Sequence, residues 1–438
     1  MTSISTFSGL QTSLRGLLAQ QRSLDVTAHN IANAQTEGYT RQEAVLGTAT
    51  PYTISSGMLA GGAGAQLGQG VDVLEYRRMR DSFLDLQYRA QNMALGEKTT
   101  TADGLSRVED QLGEPGDDAI SGLLGKFWDS WGALEANPTD GAAKAAVISS
   151  GQALAGALKD LDSRLGSLSD TAAAEYASLT TDSGNDVGAY ANQLASLNKA
   201  IKEQMAVGRQ PNDLLDQRDL VLDKLSELGQ VSTSDTDGDG SLDVSFGGAG
   251  GAVHEWLGGA VTWPQTLTSP GGKLGALQNL QTTIAGYRSQ LDAVASSLAT
   301  GVNAVHGTPP FFTGTTASTL TVNVSIPTLQ SGTSGNAGDN SIARAVGALR
   351  NGAIDAGYSS FVRKVASDAS EANRASTTQS SIVTTLDERR ASVSGVSLDE
   401  EMTNMIRFQR GYQASSRAMS TMDEMLDTLI NRTGRVGL

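Results

Sequence analysis

"LDVTAHNIANAQTEGYTRQ", residues 24–42, starts on a helical spacing and then breaks on Asn30, Asn33 and a Glu37–Gly38 pair, before the polar run Tyr39, Thr40, Arg41, Gln42. The apolar stripe that ends here begins far upstream. Phe7, Leu14, Gln21 and Ala28 fall seven apart, with Leu10, Leu17, Leu24 and Ile31 three residues on, which is the a/d spacing of a coiled-coil seam. At the other end of the chain Leu398, Met405, Tyr412, Met419 and Leu426 repeat by seven. Phe408, Met422 and Leu429 stand on the companion series, with Glu401 and Ser415 as its polar members. Both ends therefore predict amphipathic helices of matching period, packed on each other.

Ser397 and Glu400 have the spacing of a capping box, and Asp399, Glu400 and Glu401 place negative charge where a helix start favours it. The C-terminal helix is expected from about 397, with Gly411 the only glycine before Arg432 and no proline. It would run ~50 Å at 1.5 Å per residue, and the N-terminal helix ~40 Å. A lone pair of narrow seams with Ala, Met and Ser in them buries little area. Such a pair is expected to fold fully only against neighbouring copies, ordering as it assembles.

Composition narrows the function classes. The chain has 438 residues, 39% of them hydrophobic and 5% aromatic, with 50 glycines. That balance suits narrow helix packing and an extended shape better than one thick globule. A formal net charge of −15 argues against nucleic acid and anionic membrane as partners, since both require an electropositive face, and no local basic patch stands out. With no cysteine there is neither a disulfide framework nor a thiol nucleophile. The N-terminus lacks a basic leader with a continuous apolar stretch, and no segment approaches eighteen apolar residues.

The stretch "QQRSLDVTAHNIANAQTEGYTRQ" (20–42) resembles the N-terminal signature of the flagellar axial proteins, the rod, hook and hook-associated group. Its ending is similar to the hook-associated branch rather than to rod or hook subunits. The resemblance continues through "GQGVDVLEYRRMRDSFLDLQYR" (68–89), "NDLLDQRDLVLDKLSEL" (212–228), "AGDNSIARAVGAL" (337–349) and "SGVSLDEEMTNMIRFQRGYQASSRAMSTMDEMLDTLIN" (394–431). Gln35 and Glu37 depart from the usual Asn and small residue or Pro. The chain also looks short for the family, so a β-rich outer domain is expected to be reduced or missing.

The resemblance implies a structural, non-enzymatic subunit joining hook to filament, exported by the flagellar type III apparatus from the cytoplasm and placed outside the cell. Implied partners are identical subunits, the hook protein, a second hook–filament junction protein, and an export chaperone covering the C-terminal helix. Asn30, Asn33, Gly38, Tyr39, Thr40, Arg41 and Gln42 carry the family motif. Another axial subunit, of hook or rod type, is the alternative within the class.

The fold expected is mainly α: a terminal helix pair (1–38 with 395–438), an extended or β connector (39–75), a helical body (76–229 with 270–394) and a β-hairpin insertion (230–269). Helices are expected over 77–112, 119–136, 140–207, 212–228, 273–304, 340–350 and 359–391, and "LTVNV" suggests a strand.

One stretch resembles a metal site. Asp235, Asp237, Asp239, Gly240 and Asp243 match an EF-hand loop, but Phe246 stands where the bidentate Glu belongs and the flanks alternate like paired strands. A hairpin turn explains it better, with a secreted calcium-binding module as the different-class alternative. His29, His254 and His306 form no ligand pair, no nucleotide or hydrolase motif is complete, and no cofactor is expected. Asp216, Asp219 and Asp223 share one helix face, which reads as a solvated acidic face of an amphipathic helix.

Overall fold

The computed structural model describes residues 7–54, 65–180, 186–235, 238–247, 267 and 269–432. Helix α1 (Phe7–Ala32) leads through a turn to β1 (Gln42–Thr48), a short pair β2 (Tyr52–Ile54) and β3 (Ala65–Leu67), and then β4 (Val71–Arg78). The helical body follows as α2 (Ser82–Leu112), α3 (Ile120–Ala136), α4 (Gly141–Thr180), α5 (Asp186–Ala206) and α6 (Asn212–Leu228). Strands β5 (Val231–Ser234) and β6 (Asp243–Phe246) interrupt it before α7 (Gly272–His306). Next come β7 (Phe312–Thr313), β8 (Thr321–Val322), α8 (Ser341–Gly347), α9 (Ala353–Ser394) and α10 (Leu398–Asp427), which ends on a π-helical turn to Arg432. The molecule is mainly α, its described strands only small antiparallel pairs.

The body is a bundle in which α2 lies along α9 and α7, α4 along α7 and α3, and α6 against α2 and α5. Its long members, α9 with 42 residues and α4 with 40, extend about 60 Å each at 1.5 Å per residue. Leu154, Leu158, Leu161 and Leu165 recur along α4 at helical spacing and all are buried. The thickest packing is aromatic. Trp131, fully buried, meets Phe127 and Phe311 at ring-centroid distances of 6.3 and 5.4 Å, and His306 closes the cluster. Burial lowers the His306 pKa, so the ring is neutral: Nε2 accepts from the Gln330 amide at 3.2 Å, which leaves Nδ1 to donate to the Pro309 carbonyl. No described residue of α1 or α10 belongs to this continuous core.

Several boundaries differ from expectation for local reasons. Helix α2 starts at Ser82, not 77, because Arg77 and Arg78 complete the β4 ladder and Asp81 caps the helix, accepting from the Phe83 and Leu84 amides. The helical stretch expected over 140–207 is built as two helices, α4 and α5, with 181–185 outside the described residues. Ser397 occupies the N-cap position of α10, but its side chain makes no capping bond. The capping box fails there because Glu400 is turned to Arg41 instead, at 2.8 Å. The connector is also more ordered than its composition suggests: β1 pairs antiparallel with β4 from Gln42–Arg78 to Thr48–Val71, with an irregularity at Val45/Leu46.

The Asp-rich loop is a hairpin between β5 and β6, with Gly238 and Gly240 at positive φ. Asp235 accepts from the Gly238 amide, and Asp239 pairs with Lys202 at 2.6 Å. Asp237 lies outside the described residues, as do His254 and most of 248–268. Among the described residues no cluster of metal-ligating side chains is found.

Candidate functional site

Helices α1 and α10 pack antiparallel in constant register: Gly16 faces Ser415, Gln20 faces Gly411 and Asn30 faces Glu401. The approach is set by missing side chains. A Cβ on Gly411 would stand 2.7 Å from Gln20 Oε1, and one on Gly16 3.2 Å from Ser415 Oγ. The residues of α1 that become buried are Ala19, Ser23, Thr27 and Asn30, none of them a member of the expected heptad seam. Of that seam, Leu10, Leu17, Leu24, Ile31, Met405, Phe408, Met419, Met422 and Leu426 are half-buried. Leu14, Leu398, Tyr412 and Leu429 are exposed instead, and the Phe7 side chain lies outside the description. The physical reason is that small residues allow closer backbones than leucines do, so the contact rotates toward the glycine and serine face.

The family motif lies where this helix pair meets the body. Asn30 uses its whole amide: Nδ2 donates to the Gln42 carbonyl and to Glu401, while Oδ1 accepts from the Tyr39 hydroxyl and the Gln42 amide. It thus holds the turn closed from inside the helix rather than ending it. Asn33 caps the carbonyl of His29, and Gly38 takes φ +78° with Leu220 of α6 close by. Glu37, off the common family pattern, reaches Lys224 of α6 at 3.2 Å.

Beyond the turn, the motif residues hold three different helices. The Thr40 amide donates to Asp216 of α6 at 2.9 Å. Arg41 forks to Glu400 and Glu401 at the start of α10, and its amide bonds the Ser394 carbonyl at the end of α9. Gln42 donates to Asp213 and accepts from Asn212. Three separate helices, α6, α9 and α10, are fastened within three residues.

Directly above lies a buried charge network. Arg78 of β4 bridges Asp216 and Asp219 at 2.9 and 2.8 Å; Arg80 pairs with Asp85 and Asp219; Arg89 of α2 spans Asp219 and Asp223. Arg390 of α9 joins Asp223 at 2.7 Å and lies over the Tyr88 ring, 4.1 Å from its centroid. The solvated acidic face expected of α6 is therefore wrong: Asp216, Asp219 and Asp223 are all under 10% exposed.

Burial by itself pushes the Asp219 carboxyl up, but the surrounding Arg80, Arg78 and Arg89 outweigh it and hold the group below its ordinary value. Asp216, with fewer cations around it, is raised by burial despite the bonds from Arg78 and Thr40. Sequence inspection missed this network because its cations come from "RRMRD", "YR" and "DERR", which only the fold brings together. The one available signal was that acids at 216, 219 and 223 leave no room for a solvated face alongside Leu215 and Leu222.

Two chain ends zipped together and locked to a helical body make a structural element, with nothing resembling a catalytic constellation among the described residues. Residues 10–40 match the family described as flagella basal body rod protein, and 390–432 match the flagellar basal body rod FlgEFG protein C-terminal family. These ends define the class: a structural protein of the flagellar axis. Residues 105–255 match the flagellar hook-associated protein FlgK helical domain.

Flagellar hook-associated protein 1 of Bacillus subtilis is 32% identical over 98% of this chain and 99% of its own length, and the chain belongs to that family. The Salmonella typhimurium protein of the same name is 33% identical over 51% of this chain and 39% of its own length. The solved flagellar hook junction protein FlgK from Burkholderia pseudomallei aligns over 50% of this chain and 43% of that one, at TM-score 0.42 and 24% identity. No described helix is long and apolar enough to cross a membrane. The members of this family are structural proteins of the flagellum, not enzymes.

Proposed function

We propose that the chain is a hook–filament junction subunit, exported through the flagellar type III apparatus and built into the axis by its terminal helix pair. The observation that carries this is the apolar surface left open on that pair. Leu14 and Leu18 on α1, Leu398, Met402, Ile406 and Met425 on α10, and Leu429 and Ile430 on the π-helical turn that ends it are all at least 40% exposed, on helices that add nothing to the core. An open apolar face on two chain ends fits burial against neighbouring copies. The motif and the charge network beneath the body would then pass load from an inner helical tube to the outer body.

Proposed partners are identical subunits, the hook protein, a second hook–filament junction protein, and before export a chaperone covering α10. The test is native-state hydrogen exchange on the monomer and on assembled material. Fast exchange over 1–35 and 397–432 in the monomer, changing to strong protection on assembly, is the expected result. Termini already protected in the free monomer would sink the mechanism. Imaging the subunit at the hook tip, rather than along the hook, separates a junction protein from a hook or rod subunit.

A further inference from the structure

Helix α10 is charged in bands. Asp399, Glu400 and Glu401 open it; Arg407, Arg410 and Arg417 follow, with no acid from 402 to 422. Asp423, Glu424 and Asp427 close it, with no basic residue from 418 to 431. The first band is taken up within the molecule, where Arg41 holds Glu400 and Glu401. The other two are not. All six of their residues are exposed, and none has an ion-pair partner among the described residues, although Arg407 lies over its neighbour Phe408 and Asp427 accepts from Asn431. On α1, Arg22 and Asp25 stand at the level of the arginines, opposite charges that offset each other.

The last band is also misplaced for its own helix. It occupies the C-terminal end, where the dipole favours cations, and Asp423 and Asp427 stand four apart and repel. Arg417 stands six residues from Asp423 and seven from Glu424, not the three or four at which helix neighbours meet. Arg410, Arg417 and Glu424 repeat by seven and share one face; Gly411 and Ser415 face α1, which turns that stripe outward. Two copies side by side in register would set each of these charges on its own kind. Shifted by fourteen residues, ~20 Å at 1.5 Å per residue, Arg410 of one copy meets Glu424 of the next. The same shift brings Arg407 within one turn of Asp423, and Arg417 within one turn of Asp427.

We propose that the outer face of α10 docks on the same face of a second copy, parallel and shifted so that the arginine band of one receives the terminal acidic band of the next. The proposal rests on the assembly reading above and adds the axial offset between touching copies. A constant shift leaves one band free at each end, so contacts propagate, whereas an antiparallel pair would close at two copies. The paired charges are exposed, so salt screens them and assembly weakens as ionic strength rises.

A charge swap on the full-length chain tests the complementarity. Arg410→Glu with Arg417→Glu is expected to raise the concentration needed for assembly about tenfold, and Asp423→Lys, Glu424→Lys and Asp427→Lys to do the same. All five changes on one chain restore the match and should return that concentration to within about threefold of the unaltered chain. The altered residues are exposed, and melting of the monomer verifies the fold. The offset is read separately, because the chain has no cysteine and the shift places Ile406 of one copy beside Ser420 of the next. Ile406→Cys and Ser420→Cys chains, mixed and mildly oxidised, should give a mixed disulfide dimer in excess of either homodimer; cysteine is apolar and keeps the character of position 406. Reversals without effect, a swap that restores nothing, or homodimers outnumbering the mixed dimer overturn this docking face while leaving subunit assembly standing. An unaltered chain that stays monomeric at every concentration overturns the assembly reading, and this contact with it.

Discussion

The helical body and the terminal pair are built from the same alanine-, serine- and glycine-rich alphabet, yet they are held together by different means. The body buries Trp131, Phe127, Leu154, Leu194 and Ile201 completely, all within one continuous core. The terminal pair buries Ala19, Ser23, Thr27, Asn30 and Glu401, small or polar groups that offer close approach but little transfer free energy. The difference teaches that helix length is no guide to helix stability. A 42-residue helix in the body and a 30-residue helix at the end look alike in outline, but only the first has a core behind it.

The sharpest contrast comes from the body. Trp131→Ala removes a fully buried indole and is expected to cost ~3–5 kcal/mol in the chemical unfolding of the monomer, with the terminal helices playing no part.

Next comes the ion network that joins the two regions. Asp219→Asn leaves Arg78, Arg80 and Arg89 without their shared partner and is expected to cost ~3 kcal/mol; Asp216→Asn, whose carboxyl burial already disfavours as an anion, costs ~1 kcal/mol. Their pH signatures have opposite signs. Asp219 sits below its ordinary 3.8, so its contribution is present above that pH and is lost as the pH falls toward its lower folded value. Asp216 sits above 3.8, so its contribution is present in acid and is lost as the pH rises through its folded value. Asp219→Asn should flatten the acid side of a stability–pH curve, and Asp216→Asn should steepen it.

A smaller effect belongs to the turn. Gly38→Ala demands φ +78° of an L side chain and sets its Cβ 3.0 Å from Leu220, a cost of ~1–2 kcal/mol that should appear as faster exchange at 398–402 before global melting shifts. The smallest expected change tests the terminal pair itself. Leu14→Ser and Ile406→Ser should alter monomer stability by no more than ~0.5 kcal/mol while abolishing assembly. A monomer destabilised by several kcal/mol would mean that the pair folds on its own resources, and the contrast between the regions would collapse.

Periodicity carried most of the helices, because apolar spacing is a local property: 119–136 and 212–228 were legible to within a residue of α3 and α6. Long-range pairing was not. The β1–β4 ladder joins residues some thirty apart through unremarkable strands, and the network gathers arginines from β4, α2 and α9. Heptad counting gathered Leu14, Leu398, Tyr412 and Leu429 into one seam with the half-buried positions, but the close contact within the pair is governed by absent side chains, which leaves these four exposed. The motif at 38–42 was visible as a signature, but its meaning as a fastening of α6, α9 and α10 needed Asp213, Asp216, Ser394 and Glu401 in place around it.

Asn30 and Arg41 grip Glu401 at one end of the paired helices, and from there to Gly9 and Met422 the contacts are mostly small, with one weak hydroxyl–thioether bond between Ser13 and Met422. Such a pair behaves like a zip with its stop at the top: phase is set chiefly at the stop, and the small contacts further down hold it only weakly. Fraying should therefore grow steadily with distance from Glu401. A single residue inserted into α1 just before Asn30 would put every contact below it out of phase, whereas one inserted near Gly9 would disturb only the last turn.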